Sequence, residues 1–247
     1  MKIGLFVPCY IDQFFPQVAI ATLELLEKLG LEVEVPLSQT CCGQPMANSG
    51  CEKDALATSR LFIEQFAPFE YIVAPSGSCV LHVRDHFHLP HPPTPEETHV
   101  RSRTFELCEF LHDVLKIENL DAHFPYKVGL HISCHGQRGM RLAQSSEIVG
   151  PKFSKIRHLL QMVKGLELTE LDRPDECCGF GGTFAVAEEA VSVKMGKDRL
   201  ADHLRNGTQV LTAGDSSCLM HLDGLIRRQQ LPLQVMHIAE ILNSRFA

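Results

Sequence analysis

Eight of the ten cysteines in this 247-residue chain recur in matched contexts. Cys41-Cys42-Gly43, in "LSQTCCGQPM", returns as Cys177-Cys178-Gly179 in "DECCGFGGTF". Cys9 ends "KIGLFVPC" and Cys134 ends "KVGLHISC"; Cys79 in "SGSCVLHV" matches Cys218 in "DSSCLMHL". Thiolates at this density suit metal or cluster ligation. Neighbouring cysteines are poor disulfide partners, because their Cα atoms sit about 3.8 Å apart across a trans peptide. They can instead reach adjacent metal atoms of a polynuclear iron–sulfur cluster. The glycine that follows lets the backbone pass close to a bulky group or take a positive φ. Two plainer readings compete: small buried hydrophobes and disulfides. The N-terminus carries one lysine and too short an apolar run for an export signal, which argues for a reducing cytoplasmic setting and against disulfides. Cys51 and Cys108 lie outside the repeated contexts and read as core residues.

The landmarks recur in the same order, at offsets of 125 to 139 residues, with "FELCEFL" (105–111) resembling "MHIAEIL" (236–242). One module of roughly 120 residues is therefore used twice, with expected domains at 1–122 and 123–247. Within each, short apolar runs alternate with helical periodicity. Strands are expected at 3–7, 31–35, 71–74, 128–132, 165–168, 209–212 and 233–236. Helices are expected at about 16–30, 54–66, 105–115, 152–163, 184–204, 219–228 and 238–243. That order predicts an α/β fold of two tandem Rossmann-like modules with parallel sheets. Each cysteine follows a strand, and loops at the carboxyl ends of parallel strands share one sheet edge, where ligands bind. Four thiolates per module should converge there: Cys9, Cys41, Cys42 and Cys79, then Cys134, Cys177, Cys178 and Cys218.

"CCGFGGTF" offers glycines before a helix, where backbone amides could face an anionic cluster. It is not a dinucleotide fingerprint, since Phe184 stands where a third glycine would be. The full pattern resembles the cysteine-rich CCG domain, found twice in one chain of heterodisulfide reductase and also in the iron–sulfur subunit of glycolate oxidase. The local motifs "LLEKLG", "CCGQP", "SGSC" and "VMHIAEIL" resemble its lactate-utilisation branch. That resemblance implies an iron–sulfur oxidoreductase or electron-transfer subunit. It would act with a ferredoxin-type iron–sulfur subunit and a third lactate-utilisation subunit in oxidising L-lactate to pyruvate. It also implies that the eight cysteines hold one or two iron–sulfur clusters, the noncubane four-iron type among the options.

The chain departs from the fullest CCG pattern. The last C-x-x-C reads Ser76-Gly77-Ser78-Cys79 and Asp215-Ser216-Ser217-Cys218, so one thiolate is missing per site. Four ligands suit a cubane cluster, a noncubane cluster with a substitute ligand, or zinc in one or both sites. Ser76 and Asp215 could lend oxygen or simply cap the next helix. His82 and His221, three residues after a cysteine, read as ordinary helix residues near the site rather than ligands. His131, His135 and Arg138 surround Cys134 and could tune a cluster, hold a carboxylate, or pair locally. The His- and Pro-rich stretch 82–100 reads as a solvated insertion.

A zinc-stabilised scaffold and a thiol–disulfide (heterodisulfide-type) reductase stay open as alternatives. The net charge of −7 and the absence of a basic run give no footprint for nucleic acid. No apolar run approaches the about 20 residues of a bilayer span. The chain shows no C-x₂-C-x₂-C-x₃-C run and no flavin or nicotinamide fingerprint, so electrons would have to pass to a partner.

Overall fold

The computed structural model describes residues 1–87, 89 and 92–245. The first half runs β1 (Lys2–Leu5), α1 (Cys9–Phe14), α2 (Pro16–Lys28), β2 (Glu32–Glu34), α3 (Gln44–Asn48) and α4 (Glu52–Phe66). It continues with β3 (Tyr71–Ala74), α5 (Gly77–Asp85), α6 (Pro95–Arg103), β4 (Thr104–Glu106) and α7 (Leu107–Glu109), which widens into a π-helical turn at Phe110–Val114. The second half runs β5 (Lys127–Leu130), a π-helical turn at His135–Gly139, α8 (Lys155–Gln161), β6 (Glu167–Leu168), α9 (Phe184–Ala187) and α10 (Glu189–Arg205). It closes with β7 (Val210–Ala213), α11 (Ser216–Gln229), β8 (Gln234–His237) and α12 (Ile238–Leu242).

Two four-stranded sheets result, ordered β2-β1-β3-β4 and β6-β5-β7-β8, with every pairing parallel. Their registers correspond: Gly4 faces Ile72 in the first sheet as Gly129 faces Leu211 in the second. The central strands are buried on both faces, as parallel strands covered by helices must be. Helix α2 shows the usual punctuation. Pro16 fills its first turn, Val18, Ala21, Leu25 and Leu26 form its buried stripe, and Gly30 follows at φ +80.

The halves interlock beyond their sheets. Helix α12 lies against α2 of the first half, and α7 lies against α8 of the second. Asn243 donates from Nδ2 to Glu24 Oε2 at 2.7 Å across that junction. One apolar core accordingly contains Ile3, Phe66 and Ile72 together with Val128, Leu159, Ile238 and Ile241.

Three expectations need correction. The helix expected over 105–115 is preceded by a strand, β4, whose Thr104 and Glu106 are buried polar residues that hide strand alternation. The helix expected over 184–204 breaks at Glu188, whose φ and ψ (−121 and 47) leave helical space. The supposed solvated insertion contains α6, capped by Thr94, with Glu97 and Val100 fully covered and Arg101 donating from Nε to the Arg84 carbonyl at 2.8 Å. Alternating charge conceals that single buried face. His88, Pro90 and His91 of the same stretch lie outside the described residues.

Candidate metal centre

Strand direction delivers the cysteines to one edge. Cys9 opens α1 just after β1, Cys41 and Cys42 sit between β2 and α3, and Cys79 lies in the first turn of α5 after β3. Cys134, Cys177-Cys178 and Cys218 occupy the matching places after β5, after β6 and in the first turn of α11. All eight line a single cleft of about 480 Å³ between the halves, with Tyr10, Gln44, Phe180 and Thr183 on its walls. All ten cysteines are free thiols.

Each set forms a chain of neighbouring sulfurs. Cys9 Sγ lies 3.5 Å from Cys41 Sγ. The sequence of thiol contacts runs Cys9–Cys41–Cys42–Cys79 and Cys134–Cys177–Cys178–Cys218. Hydrogen bonding along the chain splits the thiol acidities. Cys42 and Cys9 donate to Cys41 and hold it far below the usual thiol range, while both donors are pushed up. Cys134 and Cys178 do the same for Cys177. The central sulfur of each set is thus the one most readily deprotonated, and the thiolate is the form that ligates metal.

The glycines after the cysteine pairs turn the backbone toward sulfur. Gly43 and Gly179 adopt φ +88 and +90. Their amides donate to Cys41 Sγ and Cys177 Sγ, each at 3.4 Å. The Phe180 amide adds a bond to Cys178 Sγ at 3.5 Å. A Cβ on Gly179 would fall 2.5 Å from the Ser192 carbonyl oxygen, whereas one on Gly43 would meet only Ala55 and Thr58, at 3.4 Å or more. Left-handed strain alone costs about 1–2 kcal/mol. Gly43→Ala should lose about that much stability, and Gly179→Ala at least about 3 kcal/mol once the backbone clash is added. Urea unfolding of the two variants checks the order; equal losses would contradict it.

Beneath the thiols the two halves differ sharply. Gly43 faces Ala55 and Thr58 of α4 as Gly179 faces Ser192 and Met195 of α10. The same spacing pairs Phe62 with Arg199 and Phe66 with His203. The repeat at β1 and β5 pairs Phe6 with His131. In the first half Phe6, Phe62 and Phe66 form an aromatic cluster with ring centroids 4.5–5.8 Å apart. In the second half the same three places hold a buried imidazole, a buried guanidinium and another buried imidazole. Arg199 pairs with Asp202 at 3.5 Å and donates to the Arg173 and Leu130 carbonyls. Burial, reinforced by the Arg199 charge, depresses His131 to about 3 and His203 to about 2. Neither ring nitrogen of His131 finds a hydrogen-bond partner among the described residues. His131, Cys178 and Cys218 are the one trio of candidate metal ligands among those residues whose donor atoms all lie within 4.8 Å of one another.

The remaining expected residues divide. Ser76 caps α5, accepting from the Cys79 amide at 3.5 Å, and donates to Asp215 Oδ1 at 3.0 Å. Asp215 does not cap its own helix. Its Oδ1 also accepts from the Ser78 amide at 3.0 Å, and Oδ2 accepts from Ser133 Oγ. The positions where the fuller pattern has cysteine are therefore bonded to each other across the two halves. His82 is buried on α5 against Phe87, and it is among the groups that lower Cys41. His221 is half-buried near Phe180 and the Cys178 backbone. His135 Nδ1 lies 3.7 Å from Cys134 Sγ and lines the cleft. Arg138 pairs with Glu147 at 3.0 Å on the exposed surface, a local partnership. Cys108 is in the core as expected, but Cys51 is exposed, because the chain turns at 49–51 before α4 begins. Tyr10, Gln44 and Phe180 were not anticipated at the cleft; only their closeness in sequence to Cys9, Cys42 and Cys178 could have signalled them.

Parallel α/β halves that gather cysteine sets at the carboxyl ends of their strands define a duplicated, cysteine-rich module. The cysteine-rich domain called CCG matches residues 3–84 and 128–223, and the chain belongs to that family. Its relatives are more particular. It is 42% identical to lactate utilization protein A of Bacillus licheniformis, over 99% of this chain and 100% of that one. It is 43% identical to that of an Exiguobacterium species (98% and 97%) and 41% identical to that of Bacillus subtilis (99% and 100%). A putative Asp/Glu racemase of Yersinia pestis superposes with a TM-score of 0.39 at 12% identity, over 98% of this chain and 96% of that one, too distant to carry chemistry across.

Proposed function

We propose that this chain is an iron–sulfur electron-transfer subunit of a system that oxidises L-lactate to pyruvate, made up of modules 1–122 and 123–247. The observation that carries the reading is the pair of four-thiol sets opening onto one cleft. The first set is a string of adjacent sulfurs rather than a compact tetrahedron. Tetrahedral zinc calls for four sulfurs all at similar mutual distances, whereas a string suits a polynuclear cluster. An iron–sulfur cluster, when bound, supplies one-electron uptake and release. The chain's own part is to hold it. Cys9, Cys41, Cys42 and Cys79 would ligate one cluster, and Cys134, Cys177, Cys178 and Cys218 the other. The Gly43 and Gly179 amides would offset the negative charge on sulfur, and Tyr10 and Phe180 would screen the cleft from water. The relatives' shared designation as protein A supports a multi-component system. A ferredoxin-type iron–sulfur subunit and a third subunit would be its other parts. Among the described residues no helix is long and apolar enough to cross a membrane.

A second reading has its own observation. The compact His131–Cys178–Cys218 trio favours zinc in the second site. Iron, sulfide and zinc per chain, measured with EPR on protein purified without oxygen, separate the two. Several irons with matching sulfide support the cluster reading. Zinc without iron, even after reconstitution, overturns it. Cys42→Ser and Cys178→Ser should each remove about half of the bound metal; retention of the full complement in both variants would contradict the ligand assignment.

A further inference from the structure

We propose that His131 is a nitrogen ligand of the second site, binding beside Cys178 and Cys218, so that the second site is mixed thiolate–imidazole while the first is thiolate only. The inference rests on the reading that the cysteine sets bind metal. Four observations carry it. The donor atoms of His131, Cys178 and Cys218 lie within 4.8 Å of one another, close enough for one metal atom to bridge them after small side-chain adjustments. Both His131 ring nitrogens are buried and find no hydrogen-bond partner among the described residues, a costly state that a metal bond would relieve. The alternative oxygen donor is engaged elsewhere: the Asp215 carboxylate accepts from Ser76, Ser78 and Ser133. The equivalent of His131 in the first half is Phe6, packed at 4.8 Å from Phe62, so the internal repeat supplies its own control.

The fold places His131 for this task. It follows β5 directly, and its amide donates to the Thr212 carbonyl at 2.8 Å, fixing the backbone beside β7. Arg199 donates to the Leu130 carbonyl one residue earlier. The imidazole is thus held on rigid strand ends, as a pre-organised ligand should be. Gly129, two residues before, has no room for a side chain: a Cβ there would lie 2.3 Å from His203 Nδ1. The strand is therefore pressed against α10 just below the site.

Cobalt(II) added to the metal-free full-length chain tests this. Cys41→Ser/Cys42→Ser removes the first site, and X-ray absorption reads the ligands of the cobalt that still binds. The expected spectrum shows sulfur at about 2.3 Å with one imidazole nitrogen at about 2.0–2.1 Å. His131→Phe, which installs the first-half residue, should abolish the imidazole scattering and weaken cobalt binding about tenfold or more. His131→Gln should do the same while keeping a polar side chain, and circular dichroism on both variants reports folding. Cobalt bound without imidazole scattering, or imidazole scattering that survives both substitutions, overturns the His131 assignment and leaves the metal-centre reading standing. No cobalt bound by the unmutated chain, at either site, overturns both.

Discussion

Arg199→Met should lower the stability of the protein by about 3 kcal/mol, a fall of about 6–12 °C in Tm for a chain of this size. The guanidinium is fully covered, and the Asp202 carboxylate facing it is 1% exposed. Burial works against the Arg199 charge, and Asp202 is the main group opposing that effect. Removing the cation leaves Asp202 negative and enclosed. It would still accept from the Asp172 and Arg173 amides at 3.1 and 3.0 Å and from Arg205 at 3.2 Å, which keeps the loss at the lower end for a broken buried pair. Two carbonyls also lose donors, at Arg173 and at Leu130. The double variant Arg199→Met/Asp202→Asn should recover little of the loss, because each Asp202 oxygen accepts from a backbone amide and an Asn Nδ2 would turn a donor toward one of them. Thermal unfolding of both variants in metal-free protein gives the answer. A Tm within about 2 °C of the unsubstituted chain would mean that the pair contributes nothing net, and that the Phe-to-charge exchange at this place is structurally neutral.

That exchange also shows what the sequence could and could not reveal. Matched cysteines and glycines announced the duplication, since ligation and positive φ constrain residue type tightly. The α/β order and the convergence of eight thiols on sheet edges followed from strand–helix alternation and parallel topology. Hidden in the sequence is what tertiary contacts set. Asp215 reads as an oxygen donor or a helix cap, but it accepts from Ser76 across the halves and from Ser133 within its own. Glu106 reads as helix but ends a strand. The counterpart of Phe62 could be recognised as Arg199 only once the packing of Gly43 and Gly179 had fixed the register of α4 against α10. His131 reads as a neighbour of Cys134, and the structure also brings it beside Cys178 and Cys218, which are remote from it in sequence. Motif spacing brings out cysteines that belong to a repeat; a residue that breaks the repeat shows its place only in the fold.

Glu106 makes the junction between the halves sensitive to pH, and Glu106→Gln should remove that sensitivity. The carboxyl is enclosed at the end of β4. Its Oε2 accepts from the Glu109 amide at 3.0 Å, and Oε1 finds no partner among the described residues. Burial raises it from 4.5 to about 8, with the nearby Glu109 and Asp215 charges pushing the same way. Cys108 adjoins it, its own thiol pushed up by burial, and Arg84 is committed to Glu109 at 2.8 Å. Glu106 therefore carries its proton at pH 7 in the folded protein and has lost it in the unfolded chain. A raised folded value contributes stability that is fully present below about pH 4.5 and is lost as pH rises through about 8. Relative to Glu106→Gln, the unsubstituted protein should lose stability between about pH 5 and 9, with a slope of up to about 1.4 kcal/mol per pH unit. His237, the matching residue at the end of β8, is depressed to about 4 by burial and acts on the acid side. Its contribution is present above about pH 6.5 and lost as pH falls, and it cancels in the comparison because both proteins carry it. Urea unfolding of the two metal-free proteins across that range settles the point. A stability difference that stays constant from about pH 5 to 9 would mean that Glu106 ionises at its ordinary value, and that the junction admits water which the fold shows it excluding.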